Sequence, residues 1–344
     1  MSGIDYRHSG VDIDEGLRAV DLMKKEVKKT FNKNVLSELG HFGGLFRAEF
    51  PTMTQPVLVA SMDGVGTKLK VASLMGDYST VGQDLVNHCV NDILVQGAFP
   101  LFFLDYIACG KLDAAVAAEI VTGLAKACSE NGCALLGGET AEMPGFYNAG
   151  DYDVAGTIVG SVDKKKIIDG SAVVPGDSIV GIPSSGLHTN GFSLARAVLF
   201  ERAGLSVASH HDILGENTVG QALLKVHRSY LDQMKPLLDQ ELVSGMAHIT
   251  GGGVPGNLIR ILPSGCGALI TPGWDVPPIF RLIKEMGGIP ETEMRRAFNL
   301  GAGFLVVTSQ PEKVTELLIQ AGEKPFHAGE ITSGNSIQYS EEGV

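Results

Sequence analysis

The chain has 344 residues and a formal net charge of -12, with 44% hydrophobic and 19% charged residues. That length exceeds the usual size of one hydrophobic core and predicts two domains, and the acidic balance excludes a general affinity for nucleic acid or anionic lipid. Apolar runs such as Leu101–Leu104 fall far short of the roughly 20 residues that span a bilayer, and without a low-complexity tract disorder is expected only at the two ends.

The first residues, Met1 to Arg7, lack the basic and apolar blocks of a secretion signal, so a cytoplasmic protein is expected. Apolar positions Ile13, Leu17, Val20, Val27 and Phe31 make Asp12–Phe31 an amphipathic helix. A bendable loop with Gly43 and Gly44 follows, then a strand at 57–60. Helices near 80–97 and 112–130 alternate with strands at 101–108, 133–137 and 154–162. A turn at Pro175–Gly176 marks a domain boundary, giving 1–172 and 173–344. The second half begins with a strand at 178–182. Helices are predicted near 191–203, 218–238, 277–285 and 311–321, and strands at 246–250, 267–271 and 303–308. The fold class is therefore α+β, two domains each with a mixed sheet and flanking helices.

The cysteines at 89, 109, 128, 133 and 266 show no C-x-x-C spacing, so zinc and redox motifs are unsupported and buried reduced thiols are expected. More telling is where the bases are missing. No Lys or Arg lies between Val71 and Gly110, a stretch that holds Asp77, Asp84, Asp92 and Asp105. A second such stretch, Ala127 to Asp163, holds Glu130, Glu139, Glu142, Asp151, Asp153 and Asp163. Acids among apolar residues need a distant base or a bound cation, and carboxylate oxygens suit magnesium. Asp84, Asn87, His88, Asn91, Asp92 and Gln96 share one half of a helix, a stripe that either serves function or is structural, through solvent exposure or a satisfied core network.

Asp63-Gly64-Val65-Gly66-Thr67-Lys68 joins a strand to a helix, offering amides and a lysine to phosphate and an acid to magnesium, or simply a turn. The Walker spacing is absent. Gly251-Gly252-Gly253-Val254-Pro255-Gly256 matches G-x-G-x-x-G, but Pro263 limits the following helix and no parallel βαβ unit surrounds it, so an anion site is the simpler reading. Ser184 to Gly191 gathers hydroxyls, Asn190 and His188, a loop suited to a polar substrate or to proton transfer as well as to a structural role.

These motifs, with Gly10–Asp14, Val90-Asn91-Asp92, Gly137–Gly145 and Asp151–Gly156, resemble in order and over nearly the whole chain the phosphoribosylformylglycinamidine cyclo-ligase family. The resemblance implies a homodimer whose N-terminal sheets join into a barrel, with ATP near that interface. It implies magnesium and a small-molecule substrate, formylglycinamidine ribonucleotide, and neither nucleic acid nor membrane as partner. Carried over by motif, Asp63, Asp92, Glu139 and Glu142 would bind magnesium. Lys24 and Lys68, with Gly64, Gly66 and Thr67, would face the phosphates of ATP, and Gly43 and Gly44 would close over it. His188 would act near the formyl group, Asn190 would be a cofactor-binding residue, and Gly251, Gly252 and Gly253 would hold a substrate phosphate or an adjoining group contacted by the backbone. Leu39–Gly44 departs from the pattern in carrying His41 and fewer glycines. Another ATP-using member of the superfamily, or a noncatalytic ATP-binding subunit, are the competing readings; the intact acids at 63, 92 and 139 speak against the second.

Overall fold

The computed structural model describes residues 10–340, so the reading of Met1–Arg7 and the extreme ends lies outside the described residues. The chain divides into two compact units, Met1–Ile93 with Phe99–Lys164, and Leu94–Ala98 with Lys165–Val344.

In unit 1 the first helix, α1, spans Ile13–Lys29. Asp12 caps it by accepting hydrogen bonds from the amides of Asp14 and Glu15, and acids in its first turn and Lys28 and Lys29 in its last complement the helix dipole. Its apolar face, Ala19, Met23 and Val27, is buried. Strand β1 (Pro56–Gly64) leads through a short loop to α2 (Lys68–Met75) and α3 (Val81–Leu94). Then follow β2 (Phe99–Cys109), α4 (Ala114–Glu130), β3 (Ala134–Glu142) and β4 (Tyr152–Asp163). The sheet order is β1-β4-β2-β3, with β2 and β3 parallel and the other pairs antiparallel. Side chains of β1 alternate between half-buried and exposed, and the outer face presents Leu58 at 63% and Met62 at 67% exposure.

Unit 2 is built on β5 (Ser178–Pro183), β6 (Gly245–His248), β7 (Cys266–Ile270), β8 (Ala302–Thr308), β9 (Phe326–Ser333) and β10 (Ile337–Tyr339), in the order β10-β7-β9-β5-β8-β6. Every residue of β8 is buried. The helices are α5 (Phe192–Arg196), α6 (Val219–Leu223), α7 (Leu231–Asp239), α8 (Gly253–Leu258), α9 (Pro278–Gly287), α10 (Glu291–Ala297) and α11 (Pro311–Gln320).

The continuous helix expected over 218–238 is corrected: α6 and α7 are separated by a non-helical segment. Side-chain contacts overrule the helical period there. Arg228 pairs with Glu323, its guanidinium lies 4.9 Å from the centroid of the Tyr230 ring, and the Tyr230 hydroxyl donates to the Pro183 carbonyl at 3.0 Å. The helix expected at 191–203 continues from α5 as a π-helix over Ala197–Arg202. The sequence predicts neither the strands β9 and β10 nor the helix α10; β9 carries a glycine and four polar side chains in eight residues, which blurs its alternation.

One buried charge pair anchors unit 1. Lys68 Nζ lies 2.8 Å from Asp84 Oδ2, joining α2 to α3, and both side chains are wholly inaccessible. Desolvation pulls the Lys68 pKa down against the charge and hydrogen bond of Asp84, which pull it up. Removing one partner of such a pair is far costlier than removing both. Lys68→Met is expected to lower unfolding stability by about 3–5 kcal/mol in equilibrium denaturation, and Lys68→Met with Asp84→Leu to recover most of that loss. Equal losses in the single and double variants would show that the charges are not coupled.

Candidate active site

Most acids in the two base-poor stretches find a partner in unit 1. Asp84 takes Lys68, Asp151 takes Lys70, and Glu130 lies 4.0 Å from Lys126. Asp163 accepts from the Thr54 amide at 2.6 Å, and Asp77 accepts from the Ser79 amide and hydroxyl. The polar stripe of α3 turns inward: Asp84, Asn87, His88 and Asn91 are all buried, and Asn131 donates to Asn87 Oδ1 at 2.8 Å.

The stripe ends in an acid pair bridged by an imidazole. His88 Nε2 lies 2.7 Å from Asp63 Oδ2 and 3.8 Å from Asp92 Oδ2. Ser61 Oγ donates to Asp92 Oδ2 at 3.0 Å, and the Gly64 amide donates to Asp63 Oδ1 at 2.6 Å. Burial works against a charged His88, but the hydrogen bond to Asp63 and the charges of Asp92, Asp63 and Asp84 outweigh it and raise its pKa. Burial likewise opposes the Asp63 carboxylate, yet the His88 contact and the Gly64 amide hold its pKa below the ordinary value. His88 thus stands where the acids call for positive charge.

Glu142 and Lys68 are placed differently from expectation. Glu142 Oε2 accepts from the Asp12 amide at 2.7 Å and Oε1 from the Leu112 amide at 2.9 Å. Both oxygens are spent on fastening the start of α1 and the turn before α4 to the end of β3, rather than opening toward an ion. Lys68, expected to face phosphate, is sealed against Asp84. Glu139 is exposed at the β3 edge, and Gly66 and Thr67 are exposed ahead of α2 while Gly64 is half-buried. Lys24 is exposed on α1, close enough for its charge to act on Glu38.

A cavity of about 820 Å³ lies within unit 1, walled by α1, the 38–44 loop, and residues of β2 and β3 including Leu104, Asp105 and Gly137–Thr140. Gly43 and Gly44 line it, and Gly44 packs so tightly that a Cβ there would lie 2.4 Å from Leu136 Cγ. Asp105 sits on the same side of β2 as the buried Phe103 and Ile107. Desolvation pushes its carboxyl up to about 7.

In unit 2, His188 is buried in the left-handed region at φ 63°, a conformation uncommon outside glycine and held only by its surroundings. Its Nε2 accepts from the Ser185 amide at 3.3 Å. Two histidines that sequence reading passed over complete a cluster. The His227 ring stacks on His188 with centroids 4.0 Å apart, His227 Nε2 lies 3.0 Å from His248 Nε2, and Thr189 Oγ1 is 3.3 Å from His227 Nδ1. One ring nitrogen from each of His188, His227 and His248 falls within 4.8 Å of the others. The two stacked rings are only 10° from parallel, so their in-plane lone pairs do not converge on one ion, and a proton-sharing N–H···N pair fits better. Asn190 lies beside the glycine run: a Cβ on Gly251 would lie 3.2 Å from Asn190 Oδ1. Gly252 and Gly253 have φ of 96° and 61°, and Asn257 Nδ2 donates to the Gly253 carbonyl at 2.8 Å, fixing the turn. Nothing local marked His227 and His248; each stands alone in an ordinary stretch, and only the helix break and β6 bring them to His188.

Residues 49–162 match the family model described as AIR synthase related protein, N-terminal domain, and residues 174–340 match its C-terminal domain. The chain is 51% identical over 338 residues to phosphoribosylformylglycinamidine cyclo-ligase of Alkaliphilus metalliredigens, covering 97% of each. Among solved structures it resembles thiamine-monophosphate kinase from Stenotrophomonas maltophilia, with a TM-score of 0.68, 15% identity and 95% and 97% of the two chains covered. It also resembles the hydrogenase maturation protein HypE in complex with ATP, with a TM-score of 0.65, 18% identity and 97% and 94% coverage. At such identities the structural likenesses speak for the fold alone.

Asp105 makes a pH prediction. Its folded pKa, about 7, stands above the ordinary aspartate value of 3.8, so between these values the folded state holds the proton more tightly. Stability therefore falls as pH rises through that window and stays reduced above it. Asp105→Asn, which cannot ionise, should match the parent in melting temperature near pH 4 and exceed it by at least about 3 °C at pH 8. A constant difference across that range would show that the carboxyl does not titrate there.

Proposed function

We propose the following chemistry from the premise that this chain belongs to the AIR synthase related family and, within it, to the phosphoribosylformylglycinamidine cyclo-ligases. The reaction closes the ring of formylglycinamidine ribonucleotide at the expense of ATP, yielding aminoimidazole ribonucleotide, ADP and phosphate, a step of purine biosynthesis. The observation that carries it is half-identity along 97% of a cyclo-ligase's length. Among the described residues, no helix is long and apolar enough to cross a membrane, and we place the enzyme in the cytoplasm.

A formyl amide is a weak electrophile with a poor leaving oxygen. Transfer of the γ-phosphoryl group to that oxygen corrects both faults. The ribose-bearing amidine nitrogen then attacks the formyl carbon and phosphate departs, so the protein's work is positioning, charge neutralisation and exclusion of water. In this reading unit 1 takes the nucleotide. Asp63, Asp92 and Glu139 supply the hard carboxylate oxygens that magnesium prefers, and the positive charge that His88 brings to Asp63 and Asp92 is consistent with a place made for a cation. Bound there, magnesium would neutralise phosphate oxygens. Lys24 and the exposed Gly64–Thr67 turn face the phosphates, and the 38–44 loop covers the nucleotide and keeps water from the activated amide. Unit 2 takes the ribonucleotide: Asn190 and Gly251–Gly253 hold its polar and phosphate groups, while His188, backed by His227 and His248, exchanges the proton that the amidine nitrogen loses on ring closure. The exposed Leu58 and Met62 on the outer sheet face are the apolar surface that a second copy covers in the barrel-forming homodimer.

Phosphate release that requires both formylglycinamidine ribonucleotide and ATP is the direct test, and ATP consumption on any other small molecule alone would overturn the assignment. Asp92→Asn should lower that activity by at least about a hundredfold. Its melting temperature without ligand should be unchanged or slightly raised, and the stabilisation by magnesium-ATP lost; a strongly lowered melt without ligand would make Asp92 structural instead. Sedimentation at micromolar concentration should give twice the chain mass, and an active monomer would exclude the shared barrel.

A further inference from the structure

The cavity in unit 1 has an unusual wall. Its ionisable lining groups are Asp12, Glu38, His41, Asp105, Glu139 and Glu142, with neither lysine nor arginine among them. Most of these acids are committed: Asp12 caps α1, Glu38 lies 2.6 Å from Lys28, and Glu142 receives two backbone amides. Much of the remaining lining is apolar, including Leu17, Val20, Met23, Val27, Leu104 and Leu135. A triphosphate would be repelled from such walls except at the rim, where Glu139 belongs to the proposed magnesium set. The volume suits a small ligand, and the part of a nucleotide that fits an apolar, base-free interior is its flat uncharged ring.

Asp105 is among the polar residues that line that interior. The Asp105 carboxyl interacts with its own backbone amide, and no other side chain contributes to its shifted pKa. It leans across β3 at its register partner Gly138, so that a Cβ on Gly138 would lie 2.3 Å from Asp105 Oδ1. The glycine is what gives the carboxyl its room. An acid whose burial raises its pKa to about 7 is close to half protonated at neutral pH, and its protonated form offers both an acceptor and a donor side by side, the complement of an amino group beside a ring nitrogen.

We infer that Asp105 is the specificity residue for the nucleotide base, accepting a hydrogen bond from the exocyclic amine of adenine on the cavity floor, with Gly138 as the positioning residue that leaves its carboxyl free to do so. The inference rests on the reading that unit 1 binds ATP for the cyclo-ligase reaction. It extends that reading to which end of the nucleotide enters the cavity, and it explains why a glycine stands at 138 within a stretch otherwise concerned with acids.

The test compares binding of ATP, the 6-deamino analogue purine riboside triphosphate, and 2′-deoxy-ATP to the full-length protein with magnesium present. The parent protein should bind ATP at least about tenfold more tightly than the 6-deamino analogue, the worth of one hydrogen bond to a buried polar group, and should bind 2′-deoxy-ATP nearly as well as ATP. Asp105→Leu and Gly138→Ala should both abolish the preference for the amine, raising the KM for ATP by a larger factor than they lower kcat. Asp105→Asn, which presents the same acceptor and donor pair, should retain it. Equal binding of ATP and the 6-deamino analogue by the parent protein would overturn the inference without any variant. So would a preference that survives Asp105→Leu, or one that follows the 2′-hydroxyl and so assigns the carboxyl to the sugar. A Cβ on Gly138 would also meet the Asp105 backbone oxygen at 2.7 Å, so should Asp105→Leu or Gly138→Ala melt at a much lower temperature than the parent, the parent's own discrimination between ATP and the 6-deamino analogue and its retention in Asp105→Asn decide the matter. These outcomes leave the cyclo-ligase reading untouched as long as ATP supports ring closure; loss of ATP-dependent turnover in the parent protein would remove that reading and this inference with it.

Discussion

Negative charge gathered where the chain supplies few bases is the condition around which unit 1 is organised. An unpaired buried carboxylate is costly enough that each must be answered individually, and the answers differ in kind. Lys68 reaches Asp84 across two helices in full burial, His88 serves Asp63 and Asp92, backbone amides serve Glu142, and burial raises the pKa of Asp105 instead. The distinction separates scaffold from chemistry. Acids answered by a fixed lysine or by amides are committed to the fold, whereas the pair answered by a titratable imidazole keeps a charge balance that a ligand can change.

Unit 2 solves a different problem, that of holding a polar loop without loss of the core. Its central strand β8 is buried throughout, and Gly303 on that strand is where Tyr230 and His188 press closest: a Cβ there would meet the Tyr230 hydroxyl at 1.9 Å. The break between α6 and α7 delivers Tyr230 and His227 to this place. The strained backbone of His188 is tolerated because the ring is stacked on His227 and bonded to the Ser185 amide.

Much of this architecture was legible in the sequence wherever one element's own pattern decided its fate. The amphipathic period announced α1, and the apolar run Val57–Ala60 announced β1. The short helix after Gly251 followed from Pro263. What was hidden depended on contacts distant in sequence. The 218–238 segment has a helical pattern that Arg228, Tyr230 and His227 break only because Glu323, Pro183 and His248 stand ready to receive them. The same reason concealed the histidine cluster, and it concealed the fate of Lys68, whose place beside a glycine turn suggests phosphate until α3 brings Asp84 within reach. Gly138 could be read as turn chemistry from its neighbours; only the pairing of β2 with β3 reveals that it makes way for a side chain on another strand.

The two amides that Glu142 receives belong to segments far apart in the chain, the start of α1 and the turn before α4, and both bound the cavity. A single side chain at the end of β3 therefore makes the cavity wall one cooperative element rather than three independent ones. Opening of that wall has the character of a sub-global unfolding event, in which amides of the α1 start and of the turn at Leu112 become exchangeable together, and in which a ligand seated inside slows hydrogen exchange in both segments alike although they lie about a hundred residues apart.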